Sequence, residues 1–153
     1  MSTEKKIVMI FGTFDYLHAG HENYIKQARE HGDHILAVIA KDKTVEKVKS
    51  RLPDHSERER MKILKESGLV DKVILGNNTD KHKVITKYKP DVIALGYDQF
   101  AFTFRLEKTI IEHGLNTEIL RLKPYRPELY KSSIIKQKQL LKKHVAQQSL
   151  SFI

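Results

Sequence analysis

The amino-acid sequence predicts an α/β fold built on one doubly wound parallel sheet of about five strands, with helices on both faces. Short apolar segments recur along the chain. Most are continuous rather than alternating, as is typical of parallel strands that are buried on both sides. These segments are residues 7–11, 35–40, 73–75, 92–95 and 119–120. Stretches with helical spacing of apolar residues separate them, and this alternation favours a sheet with right-handed crossovers.

Each expected helix combines an apolar stripe with a boundary signal. The first stripe, at residues 24–28, ends before Gly32. The second helix is expected to begin at Ser56, because residues 56–59 have the pattern of a capping box. The expected ends of the second, third and fourth helices are marked by Gly68, Pro90 and Gly114. A fifth helix is expected after the candidate caps Ser132 and Ser133.

The composition indicates one globular domain over residues 1–153, with a short flexible tail from about residue 145. A hydrophobic fraction of 40% supports a core, and no apolar run approaches the ~18 residues of a membrane helix. The first apolar run, residues 7–11, is too short for a secretory signal. The absence of cysteine excludes disulfides, thiolate metal sites and a cysteine nucleophile, so a reducing cytoplasm fits best.

The net charge of +9 raises the hypothesis of a nucleic-acid partner, because clustered Lys and Arg attract phosphates. The positive charge is spread over residues 41–51, 81–89 and 136–143 without one dominating block. No nucleic-acid-binding module is recognisable. We therefore favour solvated helix faces and a few contacts to a small anionic substrate.

The segment that follows the first strand, residues 11–21, carries the clearest chemical signal. Gly12 permits a close approach of the backbone to a ligand, and Gly20 lets the start of a helix lie against one. His18 and His21 are three residues apart at a helix N-terminus, where free N–H groups and the helix dipole favour an anion. Two imidazoles in this place can donate hydrogen bonds to a phosphate whose negative charge grows during substitution.

Residues 12–15 (GTFD) and 18–21 (HAGH) together resemble the GTFD…HxGH motif of the cytidylyltransferase-like nucleotidyltransferases. The resemblance extends over essentially the whole chain. It implies a Rossmann-like fold and a reaction that joins a nucleoside triphosphate to a phosphorylated acceptor with release of pyrophosphate. It implies in-line attack on the α-phosphate, and no residue is placed as an obvious nucleophile. A zinc site on the same two histidines would need a third ligand, and none is visible nearby.

The resemblance also implies roles for individual residues. The residues implied to be catalytic are His18, His21 and Lys49. Those implied to bind the nucleotide are Gly12, Thr13, Phe14, Gly20, Asp98, Arg126, Ser132 and Ser133. Those implied to bind the acceptor or its phosphate are Asp15, Arg51, Arg60, Tyr97 and Gln99. Arg60 has bracing the site as its alternative role. No protein metal site is implied, since Mg²⁺ is expected to come with the triphosphate.

The last motif departs from the family pattern. Residues 126–133 keep the arginine and the two hydroxyls at a helix start, but Leu129 and Tyr130 replace the glycine and isoleucine of the family. Ser132 and Ser133 fit phosphate binding and plain helix capping equally well. The departure leaves the details of triphosphate binding open.

Two branches of the family compete. Residues 96–99, 41–45 and 51–53 are similar to the archaeal-type FAD synthetases, which transfer an adenylyl group from ATP to FMN. Phe100, Phe102 and Phe104 could supply a stacking surface for the flavin ring. The segment from His55 to Leu64 is closer to the glycerol-3-phosphate cytidylyltransferases, which use CTP. We favour the first branch.

Alternatives from other classes are a nucleotide-binding or nucleic-acid-binding module without turnover and the core of an aminoacyl-tRNA synthetase. The presence of both His18 and His21 argues against a pure binding module, and the chain lacks the length for an anticodon domain. The expected partners are therefore ATP or CTP and a small phosphorylated acceptor, with no membrane. The resemblance also allows a homodimer, because members of the family are often dimers.

Overall fold

The computed structural model of the chain describes residues 5–77, 82–96, 99 and 103–124. The strands are β1 (Ile7–Gly12), β2 (His34–Ile39), β3 (Lys72–Leu75), β4 (Val92–Leu95) and β5 (Glu118–Arg121). The helices are α1 (Ala19–Arg29), α2 (Asp42–Lys49), α3 (Glu57–Ser67), α4 (Lys83–Tyr88) and α5 (Thr103–Glu112). The expected fifth helix and the tail lie outside the described residues. None of the helices in this part of the chain combines the length and apolar character that a bilayer span requires.

The described strands form one parallel sheet in the order β3-β2-β1-β4-β5, which confirms the predicted fold class. The strand order reverses between β1 and β4. In sheets of this kind ligands bind beyond the carboxyl ends of the strands at such a point. The two strands on either side of this point pair only at Val8↔Val92 and Met9↔Ile93, so they separate toward their carboxyl ends.

Both faces of the sheet are covered, which explains why the strand segments are continuously apolar. Alternate residues of β1 point to opposite faces. Val8 and Ile10 belong to a buried cluster that includes residues of α1 and α3, whereas Met9 and Phe11 belong to a second cluster that includes residues of α4 and α5. The helices of the two clusters therefore bury the two faces of the sheet.

The second helix of the structure, α2, was not among the predicted helices. Its segment is rich in lysine and buries only Thr44 and Val45, so it lacks the apolar stripe by which the other helices are recognised. Tertiary contacts stabilise its start, since the backbone N–H of Asp42 donates to a carboxylate oxygen of Glu57 at 2.9 Å. The helix that follows begins as predicted, because the Ser56 hydroxyl accepts from the backbone N–H of Glu59 at 3.2 Å.

Candidate active site

The loop after β1 ends at His18, which is the N-cap residue of α1 with extended backbone angles (φ −144°, ψ 177°). The Nδ1 atom of His18 accepts a hydrogen bond from the backbone N–H of Gly20 at 3.0 Å. A ring nitrogen that accepts a hydrogen bond carries no proton, so the neutral ring has its proton on Nε2. His18 therefore presents an oriented Nε2–H donor at a helix N-terminus, where free N–H groups already favour an anion.

Gly20 leaves the space that the His18 ring requires. A Cβ atom at position 20 would lie 2.9 Å from Cε1 and 3.0 Å from Nδ1 of His18. A larger residue would push the imidazole away from the backbone N–H that it caps. The sequence suggested that Gly20 lets the helix lie against a ligand, and the structure adds that it first lets the helix accommodate its own histidine.

His21 lies directly against His18, with ring centroids 3.9 Å apart and an angle of 24° between the ring planes. The Phe14 ring covers it from another side at 5.2 Å. Burial, followed by the neighbouring His18, lowers the pKa of His21 to about 4, although the backbone of Tyr16 acts in the opposite direction. Burial also lowers the pKa of His18. Both rings are therefore neutral near pH 7, and a phosphate can approach without displacing a counter-ion.

The Nδ1 atom of His21 is buried and has no hydrogen-bond partner within the described part of the chain. A buried polar atom without a partner costs free energy, so such atoms are uncommon and often belong to functional sites. This buried nitrogen belongs to the ring that stacks on His18, whose Nε2–H is the oriented donor.

The buried ring of His21 makes stability depend on pH. Because the pKa of His21 is about 4 in the folded chain and the ordinary pKa of histidine is 6.5, protonation favours the unfolded chain below pH 6.5. The stabilising contribution is complete above pH 6.5 and is lost as the pH falls toward 4. Between pH 7.5 and pH 5 we expect this ring to cost about 2 kcal/mol of unfolding free energy. Urea denaturation at both pH values measures the loss.

The matched variants for this measurement are His21→Asn and His31→Asn. The first should reduce the loss of stability between pH 7.5 and pH 5 by about 2 kcal/mol, because the titrating ring is gone. The second should leave the loss as in the wild type. An equal loss in the wild type and in His21→Asn would contradict the assigned pKa.

The Asp15 carboxylate is directed at the start of α3. It accepts hydrogen bonds from the backbone N–H groups of Asp54 at 2.8 Å and His55 at 2.9 Å, and Nδ1 of His55 lies 3.0 Å from it. Burial raises the pKa of Asp15, but these backbone and ring hydrogen bonds outweigh it, so the net pKa is lowered. Hydrogen bonding to Asp15 in turn raises the pKa of His55. The expectation was an acceptor contact, whereas the structure uses Asp15 to join the motif loop to α3.

Arg60 is fully buried, and its guanidinium joins four segments of the chain. It donates to the backbone oxygens of Thr13 and Ala40, each at 2.8 Å, and to that of His55 at 3.0 Å. It also pairs with Asp42 at 2.7 Å. Of the two roles expected for Arg60, the geometry supports the bracing one, because these oxygens surround the charged group and no face of it reaches the crevice.

Lys49 is the last residue of α2, and Ser50 then turns the chain with a left-handed backbone (φ 62°) toward the exposed Arg51. Burial and the adjacent Arg51 lower the pKa of Lys49, with Arg60 adding to the effect and Asp15 opposing it. The Lys49 side chain is half-buried. It makes no hydrogen bond or ion pair with the described residues, which leaves it available to a phosphate.

The three residues that begin the motif shape the loop from within. Phe14 adopts a left-handed backbone (φ 52°), and its side chain is only 2% exposed. A Cβ atom on Gly12 would lie 2.7 Å from the Phe14 ring, so the glycine is required by this aromatic side chain. Thr13 is buried, with its carbonyl oxygen bound by Arg60. The nucleotide-binding role expected for these three residues remains a prediction.

Gln99 is 1% exposed and lies beneath the crevice. Its amide nitrogen donates to the backbone oxygen of Phe11 at 2.9 Å, and its amide oxygen accepts from the backbone N–H of Gly96 at 2.7 Å. The guanidinium of Arg121 donates to the backbone oxygens of Gly96 and Gln99 at 2.9 and 2.8 Å. The expectation was an acceptor contact, whereas the structure directs the Gln99 amide toward the backbone of two strands.

Other expected site residues, Tyr97, Asp98, Arg126, Ser132 and Ser133, lie outside the described residues, as do the side chains of Phe100, Phe102 and Phe104. Sequence reasoning missed the structural roles of His55, Tyr24 and Arg121. Tyr24 looked like a member of an apolar stripe, and Arg121 carried no signal at all. His55 begins the segment that resembles the glycerol-3-phosphate cytidylyltransferases, but only its contact with Asp15 reveals its structural role.

Comparisons with known proteins identify the family of the chain. The family model described as cytidylyltransferase-like matches residues 9–138. An FAD synthase of Thermococcus sibiricus is 38% identical over 147 residues, which cover 95% of this chain and 97% of the relative. An FAD synthase of Thermoplasma volcanium is 36% identical over 131 residues, covering 86% and 92%.

A solved structure supports the same grouping. The crystal structure of the lipopolysaccharide core biosynthesis protein from Thermoplasma volcanium GSS1 is 35% identical and superposes with a TM-score of 0.75. The match covers 80% of this chain and 100% of that one. The prediction made from residues 12–21 is therefore confirmed: the chain belongs to the cytidylyltransferase-like family and is a nucleotidyltransferase.

Proposed function

We propose that this chain is an FMN adenylyltransferase, an FAD synthase that transfers the AMP unit of ATP to FMN and releases pyrophosphate. The observation that carries the proposal is the stacked pair of His18 and His21 at the start of α1, where the hydrogen bond that Nδ1 of His18 accepts from Gly20 leaves its Nε2–H as an oriented donor. The choice of ATP and FMN is supported by relatives called FAD synthases that match 86–95% of the chain.

The proposed reaction is one in-line substitution. A phosphate oxygen of FMN attacks the α-phosphorus of ATP, and the bond from this phosphorus to the oxygen that bridges to the β-phosphate breaks. The electron pair of that bond leaves with pyrophosphate. The Nε2–H of His18 and the ring of His21 donate to non-bridging oxygens of the α-phosphate, on which charge builds up in the transition state. Positioning and charge stabilisation suffice for chemistry of this kind.

The basic residues at the end of α2 are suited to the outgoing pyrophosphate. Lys49 is the last residue of α2, and the exposed Arg51 follows it after the turn at Ser50. Mg²⁺ enters as part of the substrate, bound to the triphosphate. The Asp15 carboxylate accepts hydrogen bonds from the backbone at the start of α3. The proposal retains nucleotide contacts for Asp98, Arg126, Ser132 and Ser133 and an acceptor contact for Tyr97.

Pyrophosphate release tests the proposal. The purified chain is incubated with Mg²⁺ in four combinations of ATP or CTP with FMN or glycerol 3-phosphate, and FAD is quantified by chromatography. We expect release and FAD formation with ATP and FMN alone. The control is the same assay with riboflavin in place of FMN, because riboflavin lacks the attacking phosphate and should release nothing.

Release with CTP and glycerol 3-phosphate alone would overturn the proposal in favour of a cytidylyltransferase. Binding of nucleotide with no release in any combination would contradict it as well, and would favour a module without turnover. In either case the family and the geometry around His18 stay as described, so the failure would concern the substrates in the first outcome and turnover in the second.

A further inference from the structure

Where β1 and β4 move apart, the side chains of Tyr24 and Gln99 form hydrogen bonds with backbone groups on both sides of the gap. The ladder between these strands ends at Met9↔Ile93, although β1 continues to Gly12 and β4 to Leu95. Beyond that last pair, the hydroxyl of Tyr24 donates to the backbone oxygen of Ala94 at 2.6 Å. The Gln99 amide joins Phe11 to Gly96, as described above.

The two side chains also meet each other. The Tyr24 hydroxyl lies 3.4 Å from the amide oxygen of Gln99 and accepts from the backbone N–H of Phe11 at 3.4 Å. Side-chain groups thus replace the direct backbone bonds that would draw the two strands together. We call Tyr24 and Gln99 the polar wedge. Both residues come from outside the sheet, one from α1 and one from the segment after β4.

We propose that the polar wedge of Tyr24 and Gln99 sets the width of the crevice between β1 and β4 and thereby the affinity for the nucleotide. The inference rests on the proposed nucleotide site. A ligand at the point of strand reversal touches segments that follow both strands, so the spacing of their ends determines whether it can contact both. The wedge residues are positioning residues, because their polar atoms contact the protein backbone.

The wedge is expected to act on binding more than on the chemical step. His18 is oriented by its own contact with Gly20, which is independent of the wedge. Loss of the wedge therefore changes the distance between the two walls of the crevice while the donor at the start of α1 keeps its local geometry. We therefore expect loss of the polar wedge to raise KM while kcat changes little, a pattern that a general loss of stability would not produce.

The experiment compares Tyr24→Phe and Gln99→Met with Thr117→Val. Met is close to Gln in size but can neither donate to Phe11 nor accept from Gly96. Thr117 is the matched control, since its hydroxyl donates to the backbone oxygen of Pro90 at 2.6 Å near the opposite, amino edge of the same sheet. MgATP binding is measured by calorimetry, and KM and kcat by pyrophosphate release.

We expect Gln99→Met to weaken MgATP binding at least tenfold and to change kcat less than threefold. Tyr24→Phe should act in the same direction, and Thr117→Val should bind as the wild type does. Unchanged MgATP binding in a folded Gln99→Met protein would overturn the inference, and so would an equal weakening in Thr117→Val.

A further variant of the polar wedge, Gln99→Glu, distinguishes the loss of a hydrogen bond from a loss of side-chain packing. At neutral pH a carboxylate could accept from Gly96 but could not donate to Phe11, whereas a protonated carboxyl can do both. Relative to the wild type at each pH, MgATP binding by Gln99→Glu should improve as the pH falls. If the ratio of the Gln99→Glu affinity for MgATP to the wild-type affinity does not vary with pH, the role of the hydrogen bond that Gln99 donates to Phe11 is contradicted.

These outcomes are separate from those of the proposed function. If the wild type binds MgATP but transfers nothing to FMN, the proposed acceptor fails, while the binding comparison still decides the inference. If FAD forms normally and Gln99→Met binds MgATP like the wild type, the inference alone fails.

Discussion

Replacing the imidazole of His18 should lower turnover at least a hundredfold while the protein stays folded. Loss of one preorganised donor to a developing charge typically costs about 2.7–4 kcal/mol of transition-state stabilisation, a factor of roughly 10²–10³. The informative substitution is His18→Asn, because Asn is among the best N-cap residues and preserves the start of α1. His21→Gln should have an effect of similar size, since it removes the ring that stacks on His18. Single-turnover measurements with saturating ATP and FMN report the chemical step directly.

The control for these variants is His31→Asn, which changes a histidine just beyond the carboxyl end of α1 and should keep the wild-type rate. The double variant His18→Asn/His21→Gln should lose less turnover than the product of the two single-variant factors, because the effects of residues that act as one unit are not additive. Near wild-type turnover in His18→Asn would refute the assignment of the donor. Circular dichroism and unfolding curves verify that each variant is folded.

Arg60→Met should be the most destabilising substitution in the described site. The change leaves the backbone oxygens of Thr13 and Ala40 without their buried donor and the Asp42 carboxylate without its partner. Removal of one member of a buried charged pair typically costs about 3–5 kcal/mol. Arg60→Lys should also destabilise, because one ammonium cannot reproduce the fork geometry of a guanidinium that reaches four acceptors. Urea unfolding at pH 7.5 gives the free energies.

Arg58→Met is the matched control for Arg60, because Arg58 is on the same helix and exposed. Surface substitutions of this kind usually change stability by less than about 0.5 kcal/mol. If the two variants were equally stable, the bracing role of Arg60 would be refuted. Activity should fall in any folded fraction of Arg60→Met as well, since the brace also holds the start of α2, whose last residue is Lys49.

Local signals in the sequence predicted the elements that depend on local interactions. The helix start at Ser56 was predictable because the capping residue and its partner Glu59 lie within one turn. The helix α2 was not predicted, because it buries only Thr44 and Val45 and so has no apolar stripe. Its start is stabilised by Glu57 of the next helix, which no local pattern indicates.

The direction of the polar side chains in the motif was not predictable in the same way. Asp15, Arg60 and Gln99 were expected to face a ligand, and all three bind the protein backbone. Their partners are 40, 47 and 88 positions away along the chain at His55, Thr13 and Phe11. A family motif shows which residue types are present but not whether their polar groups point into the crevice or beneath it.

The sequence by itself determined the parallel sheet, the start of α3 at Ser56 and the pair of histidines at the start of α1, because periodicity and helix capping act over a few residues. Only the tertiary structure decided which motif residues remain available to a phosphate and which hold the walls of the crevice. The physical reason is that a buried donor or acceptor must find its partner wherever the fold brings one. Those partners are backbone groups whose positions no local pattern encodes.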